Sequence, residues 1–160
     1  MTVDESTIRS RFEIVAHPEE MIGWFVARRQ GTDPQWGPHT TLGLVRNGQL
    51  IAGVVYNHFS SMDVCMHVGA INGKRWLTKS FLLEAFHYPF VQLGKNRVTA
   101  LVARKNKTTG RFVRDLGFNY EGKLRKHYPN DDLIVYGMLR EECRWIRPGV
   151  MTHAEQKLAA

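Results

Sequence analysis

The chain has 160 residues, 43% of them hydrophobic, which suits one globular domain with a core of its own. No apolar run approaches the roughly 20 residues a membrane-spanning helix needs, and Met1 to Arg11 is polar and of mixed charge, unlike a secretory signal, so a cytoplasmic protein is expected. Cys65 and Cys143 lie far apart and read as small buried thiols, not as a disulfide framework or a zinc site, while the formal charge of +7 suits an anionic partner: cofactor phosphates, a nucleic acid or an acidic protein.

Phe12 to Ala16 predicts a first strand. His17-Pro18 opens a helix from Pro18 to about Arg29, since proline suits a first turn and Glu19 and Glu20 favour its positive end. Met21, Ile22, Phe25 and Val26 recur at helical spacing and form its buried stripe. Gly31, Pro34, Gly37 and Pro38 mark an irregular loop from Gly31 to His39. Thr41 to Val45 and Gln49 to Phe59 flank Asn47-Gly48, a strong hairpin signal, and Met62 to Ile71 follows the Ser60-Ser61 corner as a further strand. A helix runs from about Leu77 to Leu93 with Phe81, Leu82, Ala85 and Phe86 on one face, and Pro89 predicts a kink or an early end near His87. Arg97 to Ala103 is a strand, and Lys107 to Leu116 is a short helix closed by Gly117. Tyr120 to His127 and Leu133 to Trp145 form a long hairpin with an open turn over Tyr128-Pro129-Asn130-Asp131-Asp132. The domain is expected to span residues 1–150, with 151–160 as a tail that would form at most a terminal helix. This order predicts an α+β fold on a mixed sheet.

Asn106-Lys-Thr-Thr109, Leu116-Gly117-Phe118, Glu121-Gly122-Lys-Leu-Arg125, Asp132 and Tyr136 together resemble the C-terminal half of the GNAT superfamily of N-acyltransferases. The similarity is greatest to the RimJ/RimL-like branch, which acetylates ribosomal-protein N-termini, and to phage-encoded members. It implies a mostly antiparallel sheet with helices on both faces, splayed between its fourth and fifth strands. The co-substrate implied is acetyl-CoA and the reaction is direct attack by a primary amine (protein N-terminus, lysine or small amine) in a ternary complex. Splayed strands expose unpaired N–H and C=O groups, with which an amide-bearing pantetheine arm can pair as if it were a strand. The resemblance places that gap between Met62 to Ile71 and Arg97 to Ala103, with Met66 and Val68 on one side and Asn106, Thr109, Gly110 and Phe112 on the other.

Asn106 reads either as a ligand of the arm or as a helix N-cap, and the two roles are compatible. Gly110 costs about 1 kcal/mol inside a helix relative to alanine, so either something passes close to the backbone there or the helix is loose. The pyrophosphate is expected on backbone amides where the Leu77 helix begins. The family has Gln/Arg-x-x-Gly-x-Gly/Ala at that turn, and this chain has Asn72-Gly73-Lys74-Arg75-Trp76 instead, where Lys74 and Arg75 either bind the anion by charge or are solvated.

Chemistry needs a base near the amine and an acid near the leaving thiolate. Many relatives place a tyrosine seven residues after the asparagine, and Val113 stands there. Thr109 matches the serine of the RimJ/RimL-like branch as a hydroxyl near the thiol, or is an ordinary threonine; Tyr128 and Tyr136 are less well placed candidates or core and rim tyrosines. Asp63, Cys65 and His67 share one strand face by the period of two, and His67 is the base of choice, against a purely structural histidine. Glu121 either holds the sheet or points at substrate, and Trp36 either lines the acceptor site or covers the core. Two other functions compete: a GNAT-shaped binding or phage structural protein that has lost catalysis, and an RNA- or ribosome-associated acyltransferase using the basic run Lys123, Arg125, Lys126 and His127. A homodimer is compatible with all three.

Overall fold

The computed structural model describes residues 12–73 and 76–146. Its elements are β1 (Phe12–Val15), α1 (Glu19–Gln30), β2 (His39–Arg46), β3 (Gln49–Asn57), β4 (Cys65–Ala70), α2 (Lys79–His87), β5 (Arg97–Ala103), α3 (Lys107–Leu116), β6 (Asn119–Tyr128) and β7 (Asp131–Leu139). The described strands form one seven-stranded sheet in the order β1-β2-β3-β4-β5-β7-β6, antiparallel at every junction except β4-β5. This is the expected α+β fold with a mixed sheet. No helix among the described residues is long and apolar enough to cross a membrane.

Successive residues of β3 feed opposite faces of the sheet. Val54 and Tyr56 join the larger core with α2 and α3, whereas Val55 packs under Ile22 and Val26 of α1. Helices therefore cover both faces.

What lets α1 lie close is a row of glycines. Gly43 pairs with Gly53 and Gly53 with Gly69, a line across β2, β3 and β4. A Cβ on Gly53 would stand 2.9 Å from Val26 Cγ2, and one on Gly69 would stand 2.8 Å from Val26 Cα, inside the helix backbone itself. Glycine in a strand interior often marks such an approach.

The expected turns follow local chemistry. Asn47 and Gly48 both take positive φ, 50° and 77°, as a two-residue hairpin turn requires. Gly31 and Gly117 close α1 and α3 in the left-handed conformation. Pro89 does end α2 at His87, and a single π turn over Tyr88–Gln92 follows. Pro89 has no N–H for the carbonyl of Ala85, and the buried Tyr56 hydroxyl donates to that carbonyl instead, at 2.7 Å.

Three expectations are corrected. The fourth strand begins at Cys65, not Met62, because Asp63 turns back onto Ser60 through a side-chain bond of 3.1 Å. The last strand ends at Leu139, where Glu142 accepts from the Leu139 N–H and starts a short 3-10 turn. The final hairpin is tight, with Tyr128 facing Asp131 across Pro129-Asn130. Asp131 and Asp132 accept from the amides of Lys105 and Lys126, which fixes the turn that composition alone leaves open. The expected tail, 151–160, lies outside the described residues.

Candidate functional site

The parallel β4-β5 junction holds at one residue pair, Cys65 with Thr99, supported by bonds from Thr99 N to Val64 O (3.0 Å) and from Arg97 N to Met62 O (3.1 Å). Beyond that pair the strands part. A cavity of about 330 Å³ fills the opening, walled by β4, β5, α2 and α3. In the gap the Val68 carbonyl accepts from the side-chain amide of Gln30, at 3.1 Å. An amide already sits on a backbone acceptor of the splayed strand, which is the contact a pantetheine amide would make. The cleft thus fits an amide-bearing arm, and Gln30 is a residue of its wall that sequence reasoning missed.

Among the sequence candidates for cofactor binding, Met66, Val68, Asn72, Gly73, Trp76, Thr109 and Phe112 line this cleft. Lys74 and Arg75 lie outside the described residues. The helix after the expected phosphate turn starts at Lys79, and its cap is Thr78, whose hydroxyl accepts from Phe81 N at 3.1 Å. That cap leaves the amides of Lys79 and Ser80 outside the helical ladder.

Asn106 is an N-cap: its Oδ1 accepts from Thr109 N at 3.1 Å. Its Nδ2 has no partner among the described residues, and Asn106 lines both a recess with Gln30, Leu101 and Thr109 and the groove beside Tyr136. The close approach at Gly110 has a definite partner. A Cβ there would lie 3.2 Å from the Tyr136 hydroxyl. Tyr136 therefore sits beneath α3 and lines a groove on the helix's far side, together with Gly110 and Asn106, rather than the β4-β5 cleft.

His67 faces the opposite side of the sheet from Met66. Its Nε2 lies 2.8 Å from Asn57 Oδ1, and its ring lies against Trp36 with centroids 5.0 Å apart. Asn57 Nδ2 donates to Trp36 O at 3.1 Å, so Oδ1 must accept from the imidazole. The hydrogen is then on Nε2 and the lone pair on Nδ1. Trp36 in turn donates to Gly23 O and packs on the α1 core, so it covers that core while forming a wall beside His67.

Burial, with a smaller contribution from the nearby His58, pushes the His67 pKa down from 6.5 to about 4. The folded state thus refuses a proton that the unfolded chain takes between pH 6.5 and 4. Stability from this site is complete above pH 6.5 and is lost as pH falls toward 4. At about 1.36 kcal/mol per unit and with some discount for partial exposure, the loss is about 2–3 kcal/mol. His67→Gln keeps a donor for Asn57 without a titrating group. Urea melts from about pH 4 to 7 should show a shallower decline for the variant, and parallel declines would place the acid sensitivity elsewhere.

At the closed end of the cleft, sequence reasoning missed a charged network. Thr99 donates to Asp63 Oδ2 at 2.7 Å, Arg97 Nε lies 3.6 Å from the same oxygen, and the Arg97 guanidinium bonds Glu121. The Glu121 hydrogen bond, outweighing partial burial, holds Arg97 firmly charged. Both side chains lie flat over Gly137, where a Cβ would overlap the Glu121 carboxylate. Glu121 therefore holds the sheet. Cys65, buried beside this network, has its thiol pushed up to about 11 by burial and by Asp63, so it stays protonated; Cys143 is likewise a free buried thiol. Asp63 and Glu121 face Arg97 here, and Lys95, which donates to Ser60 O, adds a second cation at the same corner. The pair Arg97–Glu121 carried no sequence signal beyond the charges themselves, since its contact depends on β5, β6 and β7 lying in one register.

No family model and no curated protein sequence matches the chain. Among solved structures, a mutant form of the spermidine N-acetyltransferase SpeG from Vibrio cholerae superposes with a TM-score of 0.68 at 12% identity, over 87% of this chain and 98% of that one. Two glutamate-to-glutamine mutant forms of the spermidine/spermine N-acetyltransferase from the same organism give 0.65 at 12% identity, over 82% and 96%. The chain has the GNAT fold. Within that fold the parted β4-β5 pair is the feature that the sequence resemblance anticipates, and it lies between the expected strands.

Of the three GNAT-type catalytic candidates, Thr109 alone lines the cleft. His67 is on the α1 face beside Trp36, and Tyr136 is under α3.

Proposed function

We propose that the protein is an N-acetyltransferase that moves an acetyl group from acetyl-CoA to a primary amine by direct attack in a ternary complex. The observation that carries this reading is the β4-β5 opening, with its Val68 carbonyl already bonded by a side-chain amide. Met66 and Val68 offer backbone groups to the arm, and Asn106 Nδ2 and Thr109 border it from α3. Asn72, Gly73 and Trp76, with the amides ahead of α2, meet the pyrophosphate end; Lys74 and Arg75 add charge to that turn.

Bound acetyl-CoA supplies the acyl group activated as a thioester. The acceptor of this reading is a primary amine: a protein N-terminus, a lysine or a small amine. His67 Nδ1, unprotonated at neutral pH, is the base of this reading, and its low pKa means that a proton taken there passes on to solvent. Thr109, which lines the cleft, is the hydroxyl of this reading for the leaving thiol.

The distance in the fold between His67, Thr109 and Tyr136 favours a second reading, a GNAT-fold protein that binds the cofactor without turnover. Calorimetric titration with acetyl-CoA followed by a turnover assay with spermidine, a lysine peptide and free-N-terminus peptides separates the two. Binding with turnover is expected. No binding at saturating acetyl-CoA would overturn both readings, and binding without any turnover would leave the second.

Asn106→Asp divides cap from ligand. Aspartate caps a helix as well as asparagine does, so the melting temperature should hold, while loss of the Nδ2 donor should weaken acetyl-CoA about tenfold, the worth of one hydrogen bond. Unchanged affinity would leave Asn106 a cap only.

A further inference from the structure

A second groove, of about 270 Å³, runs along the far side of α3 between the helix and the β6-β7 edge of the sheet. Arg104, Lys107, Arg111 and Arg114 line it, and no carboxylate does. Lys107, Arg111 and Arg114 recur at i, i+4 and i+7, one face of the helix, and at about 1.5 Å rise per residue they span about 10 Å. Arg104 is tied to Asp131 and Asp132 at 3.4 and 3.7 Å. The other three make no ion pair with a described residue.

The floor is Tyr136, only 6% exposed, whose hydroxyl reaches Gly110 and has no hydrogen-bond partner among the described residues. That hydroxyl is not sealed in the interior; it opens on the groove, where water or a ligand can bond it. The rim is Tyr120, 60% exposed, standing edge-on to Tyr136 with centroids 6.3 Å apart. The sequence points to a basic surface on Lys123 to His127, but Lys123 is held 3.9 Å from Asp132. On α3 three cations without an ion pair to a described residue stand in a line, and an aromatic ring lies beside them.

We infer that this groove binds single-stranded nucleic acid, with backbone phosphates on Lys107, Arg111 and Arg114 and a base stacked on Tyr120. Cations along one line meet successive phosphates, and an exposed ring offers a base the stacking surface that duplex DNA or RNA cannot use. A phosphorylated peptide would use the cations and leave Tyr120 without a role. The inference goes beyond acetyl transfer and stands independently of it.

The test is fluorescence anisotropy of a labelled oligouridine strand titrated with the full chain across a range of salt. The strand is expected to bind, with log affinity falling against log salt at a slope of about −2, since three phosphates at about 0.7 each are neutralised. Arg114→Glu should weaken binding at least tenfold, and Arg114→Gln less, at the same melting temperature. Tyr120→Ala should weaken it about tenfold while leaving the salt slope unchanged. Acetyl-CoA titration of these variants should match the parent, which separates failure here from failure of the cofactor reading. No binding at low salt, or an affinity indifferent to Tyr120→Ala, would overturn the proposal, as would displacement of the strand by an equal concentration of a phosphoserine peptide.

Discussion

Gly69→Val is expected to lower the stability of the fold by about 3 kcal/mol, at the upper end of overpacking costs. The new Cβ would fall 2.8 Å from Val26 Cα and 3.1 Å from Val26 O, and neither atom can rotate away. The whole of α1 must lift, which loosens Ile22 and Val26 from Val55 beneath them. For a chain of this length the melting temperature should fall by roughly 6–12 °C. Gly122→Val is the control, because a Cβ there meets nothing within 4 Å and valine favours a strand. Calorimetric melts that moved Gly69→Val by no more than the control would show that α1 does not rest on the backbone of β4.

Val68→Trp should reduce acetyl-CoA affinity at least a hundredfold. Val68 is half-buried on the first stretch of β4 beyond the last β4-β5 pair, and it lines the cleft. A larger ring there occupies the space between the strands, and packing it against Phe112 and Trp76 should keep the melting temperature at or above that of the parent. The loss would then be steric. Affinity within a few-fold of the parent would mean that the cofactor lies elsewhere, whatever the outcome of other substitutions.

Much of the fold was legible because its signals are local. Asn47-Gly48 defines a turn by its own φ preferences, and Pro89 ends α2 by its missing N–H. The α3 boundaries followed from Asn106 and Gly117 in the same way. Where a feature depends on register, local chemistry was silent. Gly43, Gly53 and Gly69 are scattered in the sequence and become one row only when three strands align. The period of two put His67 on one face of its strand, but Asn57 and Trp36, which set its tautomer and enclose its ring, arrive from a neighbouring strand and a distant loop. Gly110 reads in the sequence as either a close approach or a loose helix, and the group that decides it, Tyr136, lies on a different element. The separation of Tyr136 from the cleft has the same origin.

The glycine row also makes the two sides of the cleft mechanically unequal. On the α1 side, helix backbone meets strand backbone at Gly69, while at Gly53 and Gly43 the short branched side chains of Val26 and Ile22 fill the contact. Arg29 and Gln30, carried at the end of that helix, form a wall whose position is set before any ligand arrives, so little ordering entropy is lost there on binding. On the other side α3 is a short helix, secured at its start by the single Asn106 cap and broken in propensity by Gly110. The cleft is a fixed jaw facing a compliant one, and whatever adjustment a ligand demands falls to α3.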